Sequence, residues 1–286
     1  MSSLQADSVT LAYDRDKPVV EGLDLEIPRG KITSIIGPNG CGKSTLLRAF
    51  ARLLPPAAGS VLLDGRSIQT LPSRHIARQV GLLSQQANAP EAITVADLCR
   101  RGRYPHQHFF QPPTADDQKA VERALALTDM KELRDRPIDE MSGGQRQRAW
   151  IAMALAQETP ILLLDEPTTY LDLSNQQEIL SLVQRLNAEE GRTIVMVVHD
   201  MNNALQVSEH VVAMRDGRIA GQGPTDVVLT SKLLHSVFGI ACDVVRHPDT
   251  GRPFTVARSR HALARRSRAP SDSASTSDSA STSDSA

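Results

Sequence analysis

No apolar run in this sequence approaches the roughly 18 residues that a bilayer-spanning helix needs, so no membrane-spanning helix is expected. An excess of either charge is also missing. The 32 Lys and Arg offset the 33 Asp and Glu to a net charge of −1, which gives no global attraction to nucleic acid. Cysteine is scarce. Cys41, Cys99 and Cys242 are odd in number and scattered, with neither metal-ligand spacing nor a disulfide framework. Residues 1–8 are polar and lack the apolar core of a signal peptide. These absences together predict a cytosolic protein. What remains is the composition of an ordinary globular chain, 40% hydrophobic and 23% charged, and its 286 residues suffice for a sizeable core.

The chain is organised around Gly37-Pro38-Asn39-Gly40-Cys41-Gly42-Lys43-Ser44-Thr45. An apolar run at 32–36 precedes it and reads as a buried strand, and residues 46–54 follow as a helix. Strand, glycine-rich loop and helix form the context of a phosphate-binding loop. Gly37, Gly40 and Gly42 let successive backbone N–H groups turn inward toward phosphate oxygens, and the helix N-terminus adds its positive end. Lys43 would then reach the β- and γ-phosphates, and the Ser44 hydroxyl would ligate Mg²⁺. Cys41 inside such a loop suits a reducing compartment, because a disulfide there would obstruct it.

Upstream, residues 9–13 and 19–27 read as strands, joined to the loop by the turn Pro28-Arg29-Gly30. Tyr13 has two readings, an aromatic that stacks on a nucleotide base or a half-buried residue at a sheet edge. Residues 61–63 form a strand entering an Asp64-Gly65 turn, and residues 80–83 another that ends at Ser84-Gln85-Gln86. From 88 to 140 β-branched runs thin out and helical patterns dominate, notably at 95–101 and 115–127. Between these two lies Tyr104-Pro105-His106-Gln107-His108-Phe109-Phe110. No carboxylate or cysteine cluster supports His106 and His108 as metal ligands, so a loop surface is the preferred reading. A helical insert therefore interrupts an α/β domain.

Strands return after Met141-Ser142-Gly143-Gly144-Gln145 and its helix at 146–156. Residues 161–164 lead into Asp165-Glu166, and residues 193–198 into His199-Asp200. Strands that alternate with helices and are apolar on both faces predict a parallel sheet. Lys43, Asp165 and His199 each follow such a strand, at the end where ligands bind in open α/β folds. Beyond come a small antiparallel ribbon around the Asp216-Gly217 turn, two short helical pieces, and two strands near Val244 and Phe254. Residues 258–268 are basic and read as a solvated linker in preference to an anionic-lipid contact. The Ser/Asp repeat from Ser271 has no apolar content to bury and predicts disorder.

Asp165 supplies the second half of a nucleotide site, its carboxylate holding the Mg²⁺ water shell. Glu166 beside it is placed to polarise an attacking water, and His199 to sense the γ-phosphate. Ser142-Gly143-Gly144-Gln145 decides the class. A serine and two glycines at a helix start form a second anion-binding terminus. With one phosphate loop and one such helix start per chain, the simplest use is in trans. Each copy would grip the γ-phosphate held by its partner in a two-fold dimer.

In type, order and spacing these motifs resemble the ATP-binding subunit of ATP-binding-cassette (ABC) transporters, over about residues 5 to 258. The resemblance implies an α/β fold: a P-loop NTPase (RecA-like) core with a mostly parallel sheet, a small antiparallel β region and an inserted helical subdomain. It makes Gly37 to Thr45 the Walker A loop, the strand ending at Asp165 Walker B, and Glu166 the catalytic base. Ser142, Gly143, Gly144 and Gln145 lie in the signature motif. Gln85 takes the Q-loop position, touching Mg²⁺ and linking to the membrane partner, with Gln86 the alternative. Asp172 in Thr168-Thr169-Tyr170-Leu171-Asp172 is the D-loop aspartate, His199 the switch histidine, and Tyr13 the adenine-stacking residue. Met141 departs from the usual leucine, a volume-conserving change, and Tyr170 from a smaller residue. The Ser/Asp tail has no family counterpart.

Gly102-Arg103-Tyr104-Pro105-His106-Gln107, residues 145–157 and residues 168–172 resemble the importers of ferric siderophores, especially of the catecholate enterobactin type. Cobalamin and haem importers share parts of this pattern. The implied organisation is a core in two parts, 1–87 and 142–258, a helical subdomain at 88–141, and a tail at 259–286. The implied cofactors are ATP and Mg²⁺. The implied partners are a second copy, transmembrane permease subunits and, indirectly, a periplasmic or surface substrate-binding protein, without nucleic acid. The implied location is peripheral, on the cytoplasmic face of the inner membrane. Among rivals, a soluble repair-type ABC ATPase would separate Lys43 and Ser142 by a long coiled coil. Translation-type members usually carry two cassettes. A non-hydrolysing module fits poorly with intact Glu166 and His199. The absence of an Asn-Lys-x-Asp motif disfavours a GTPase.

Overall fold

The computed structural model describes residues 3–14, 17–85, 91–107, 112–248 and 251–258; Gln86, His108 and the 259–286 tail lie outside these. The chain begins with β1 (Leu4–Asp14), β2 (Lys17–Ile27) and β3 (Ile32–Ile36), then α1 (Lys43–Phe50), β4 (Ala58–Leu63), β5 (Arg66–Ser67), α2 (Ser73–Ala77) and β6 (Val80–Leu83). The helical insert contributes α3 (Val95–Gly102) and α4 (Ala115–Leu127). After it come α5 (Gly143–Ala156), β7 (Ile161–Asp165), α6 (Leu173–Glu190), β8 (Thr193–Val197) and α7 (Met201–Val207). The last elements are β9 (His210–Arg215), β10 (Arg218–Pro224), α8 (Thr225–Val228), α9 (Ser231–Phe238), β11 (Cys242–Arg246) and β12 (Pro253–Ala257).

A six-stranded sheet in the order β10-β9-β3-β8-β7-β6 carries the site. Its five strands from β9 to β6 pair in parallel, and β10 joins antiparallel. The side-chain period of two divides each central strand between two cores. Leu162, Leu164, Ile194 and Met196 face α5 and α6, in a core that also takes Val95, Leu98, Val121 and Leu125 of the insert. Ile161, Leu163, Val195 and Val197 face the other way, onto α1 and the antiparallel sheet β2-β1-β4-β5. These strands are buried along their whole length, which is why they read as unbroken apolar runs. Among the described residues no helix is long and apolar enough to cross a membrane.

Several boundaries differ from the sequence reading. The helix expected at 46–54 is α1, which starts at Lys43 inside the glycine loop and stops at Phe50. Arg52 takes a left-handed backbone, φ 58°, ahead of Pro55-Pro56, and the helix cannot continue. The helix expected from 146 begins at Gly143, because Ser142 caps it: its side chain accepts from Gln145 N while Gln145 Oε1 accepts from Ser142 N. At 18 residues α6 is the longest helix among the described residues, and no sequence pattern singled it out. Its buried apolar positions, Ile179, Leu180, Leu182, Val183 and Leu186, begin only behind the polar run 174–178.

Candidate functional site

Parallel pairing brings the carboxyl ends of β3, β7 and β8 side by side, with Ile35 opposite Val197 and Asp165 opposite Val197 on the other flank. The loop after β3 turns through Gly37 because nothing larger fits. A Cβ there would lie 2.2 Å from the Met214 carbonyl oxygen and 2.8 Å from Cys41 Sγ. Gly42, the N-cap of α1, offers no side-chain cap, so the first-turn N–H groups stay available to an anion. The Lys43 side chain is buried, and its ammonium donates to the carbonyls of Gly37 at 2.9 Å and Pro38 at 3.0 Å. That holds the positive charge against the loop. Cys41 is also buried, and burial pushes its thiol up from its usual pKa.

Ser44 Oγ donates to Asp165 Oδ1 at 2.8 Å across 121 residues of sequence. Asp165 is 3% exposed, and burial pushes its carboxyl up against the opposing effect of the Ser44 bond. A buried carboxylate and a hydroxyl converging at a strand end are hard oxygen donors, a set that fits Mg²⁺. Glu166 follows with a left-handed backbone, φ 56°, and its backbone N–H bonds to Val197 O, which turns the side chain back over the sheet. Three donors then converge on its carboxylate. His199 Nε2 stands 2.5 Å from Oε1; Gln85 Nε2 donates to Oε2 at 2.5 Å and Thr169 Oγ1 to the same oxygen at 3.1 Å.

Lys43, Ser44, Gln85, Glu166, Thr169 and His199 share one cleft of about 550 Å³, lined also by Tyr13, Val19, Asn39, Gly40, Gly42, Thr45 and Tyr170. Gly37, Pro38, Cys41 and Asp165 are not in its lining, Asp165 being bonded to it through Ser44. Tyr13 is 59% exposed at its rim, its hydroxyl 3.4 Å from Thr45 Oγ1 and accepting from Arg48 at 3.1 Å. Thr169 and Arg48 escaped the sequence reading. Thr169 stands three residues after Glu166 in the turn that follows β7, and Arg48 three after Thr45 on α1; only the side-chain directions bring them to Glu166 and Tyr13. A larger groove of about 890 Å³ lies between α4, α5 and α6, but it contains none of the sequence-predicted residues.

Ser142, Gly143, Gly144, Gln145 and Asp172 do not line the cleft among the described residues. They occupy helix starts elsewhere, Ser142 capping α5 and Asp172 capping α6 by accepting from Asn175 N at 2.8 Å. Near Asp172, Leu171 is half-buried against the core, whereas Tyr170 is 96% exposed and Leu173 72%. His106 Nε2 donates to the Gln157 carbonyl, 2.8 Å away, inside a joint where Arg74 and Arg78 both donate to Pro105 O. Arg103 is buried in the same joint, between Asp117 and Glu158.

The ABC transporter family profile matches residues 20–169. The chain is 49% identical to the probable siderophore transport system ATP-binding protein YusV of Bacillus subtilis (strain 168), over 91% of this chain and 94% of that protein. It is 47% identical to the ferric enterobactin transport ATP-binding protein FepC of Escherichia coli (strain K12), over 92% of this chain and 96% of that protein. Its fold is similar to a dimeric ATP-binding cassette in a post-hydrolysis state bound to ADP and Pi. The TM-score is 0.68 and the identity 28%, with 78% of this chain and 98% of that one covered.

Proposed function

The chain belongs to the ABC transporter family, and from that premise we propose that it is the ATP-hydrolysing subunit of a ferric siderophore importer. It is an ATPase whose hydrolysis is coupled to transport. The observation that carries the catalytic reading is the Glu166 carboxylate, held by His199, Gln85 and Thr169 in the same cleft as Lys43. Two named siderophore-system relatives, each matched over more than nine-tenths of this chain, support the cargo.

In this reading the Gly37–Thr45 loop binds the phosphates of ATP through backbone N–H groups and Lys43, and Tyr13 stacks on the adenine. Ser44 and Asp165, with Gln85 beside them, would hold Mg²⁺, which neutralises phosphate charge when bound. Glu166 takes the proton from the attacking water, while His199 and Gln85 fix which way its carboxylate points. Ser142, Gly143, Gly144 and Gln145 serve the nucleotide of a second copy, with Asp172 and the exposed Tyr170 and Leu173 on the same contact. The helical subdomain, 88–141, and the Gln85 segment pass dimer closure to a permease at the cytoplasmic membrane face.

Uptake of radiolabelled iron–siderophore in cells lacking the gene tests the cargo, with labelled cobalamin and haem alongside. Loss confined to the siderophore, restored by the wild-type gene but not by Glu166→Gln, is the expected result. Loss of cobalamin or haem uptake instead would reassign the cargo, and no change in any of the three would overturn the importer reading.

A further inference from the structure

Asp172 and the Ser142 helix start lie in different segments, yet one side chain touches both. Asn175 donates twice to the Asp172 carboxylate, from its backbone N–H to Oδ1 and from its Nδ2 to Oδ2, each at 2.8 Å. These two bonds hold the Asp172 carboxyl below the usual carboxylate range. The other end of the same amide presses on α5. A Cβ at Gly144 would lie 2.2 Å from Asn175 Oδ1 and 2.5 Å from its Cγ, so a glycine is the residue that lets α5 come this close. Gly143, one residue earlier, meets only Leu171 Cδ2 at an ordinary 3.9 Å. The close approach is specific to Gly144 and Asn175.

We propose that Asn175 is a positioning residue that locks the Asp172 loop to the Ser142–Gln145 helix start, so that both are presented to a second copy of the chain as one rigid surface. This rests on the dimer reading above. Asn175 lines neither the cleft nor any contact with the reacting atoms; it acts through Asp172 and Gly144. If the two elements moved independently, closure would have to order each of them at the interface, and that ordering opposes association. With the amide in place the order already exists within the single chain.

The test uses full-length Glu166→Gln protein, with ATP-dependent dimerisation followed by analytical ultracentrifugation. Adding Asn175→Ala removes the Nδ2 donor but keeps the backbone bond that caps α6, so the fold should survive. The half-maximal ATP concentration for dimerisation should rise about tenfold, the order of cost of immobilising one or two freed side chains on closure. Binding of a fluorescent ADP at the Lys43 loop and the melting temperature should stay unchanged. Asn175→Asp fills the same space against Gly144 but cannot donate, and sets a like charge against Asp172. It should dimerise more weakly than Asn175→Ala. If Asn175→Asp behaves like wild type, the contact is packing alone and the inference is wrong. An unshifted ATP dependence in Asn175→Ala, or a shift matched by weaker ADP binding or lower melting, would also overturn it. If Glu166→Gln itself stays monomeric with ATP, the dimer reading fails first and takes the inference with it.

Discussion

Asp165 and Glu166 close a strand buried on both faces and Lys43 opens the buried helix α1 behind another, whereas Ser142–Gln145 and Asp172 stand at the starts of two helices whose caps are exposed. The first group is organised within one chain. Ladder register sets β7 beside β8 and β8 beside β3, and the Ser44–Asp165 bond closes across it. The second group is held by local capping bonds three residues apart and by the Asn175 amide. Such caps contribute about 1 kcal/mol each. One half of the machinery is preorganised by the core; the other is a lightly built surface, which we propose serves the nucleotide of a second copy. The exposed Leu173 stands in that second half, and the exposed Tyr170 lines the cleft of the first.

Substitutions should separate the two halves, and the largest effect belongs to the buried one. Glu166→Gln should lower ATP turnover by about 10²–10⁴-fold, the usual contribution of a general base, with nucleotide affinity retained in a binding titration. Normal turnover would remove Glu166 from the mechanism. Lys43→Ala should abolish measurable binding of a fluorescent ATP analogue, because its ammonium is the buried positive charge of the loop. Gly143→Asp acts on the exposed half. Its Cβ has room and the residue is exposed, so the melting temperature should hold while turnover falls about a hundredfold through a charge set against phosphate. Binding of nucleotide to the single chain should be untouched. Loss of that binding would mean that the two halves are not separate.

The smallest effect runs in the opposite direction. Asp165 has its pKa raised by burial, so between its unfolded and folded values the folded chain holds more proton than the unfolded one. Stability from this group is therefore present at low pH and lost as pH rises through that window. Asp165→Asn keeps an acceptor for Ser44 and removes the buried charge. It should raise the melting temperature by roughly 2–4 °C at pH 7, corresponding to about 1 kcal/mol. The gain should shrink as pH falls below the raised value. A lower melting temperature at pH 7 would mean that the charge is better solvated than its burial implies.

The same contrast explains what the sequence revealed. The buried half was legible because unbroken apolar runs end directly in Lys43-bearing, Asp165-bearing and His199-bearing segments, and short motifs carry their own chemistry. The strand at 161–165 and the helix at 115–127 followed from the sequence pattern, and the helix read at 95–101 fell one residue short of α3. Helix α6 did not, since residues 174–178 are polar and its buried apolar face begins only at Ile179. Thr169 on Glu166, Arg48 on Tyr13 and Asn175 on Gly144 depend on side-chain directions that spacing alone does not single out. Exposed, capped elements leave weak patterns because little apolar surface dictates them.

Mixing two inactive variants tests most directly whether the halves work across two chains. Lys43→Ala lacks the buried half but keeps the helix start, and Gly143→Asp lacks the helix start but keeps the loop. In a mixed dimer one composite site is intact. An equimolar mixture should therefore recover up to about a quarter of wild-type turnover, by the statistics of two-fold assembly. Turnover no greater than the sum of the separate variants, with mixed dimers demonstrably formed, would contradict the account.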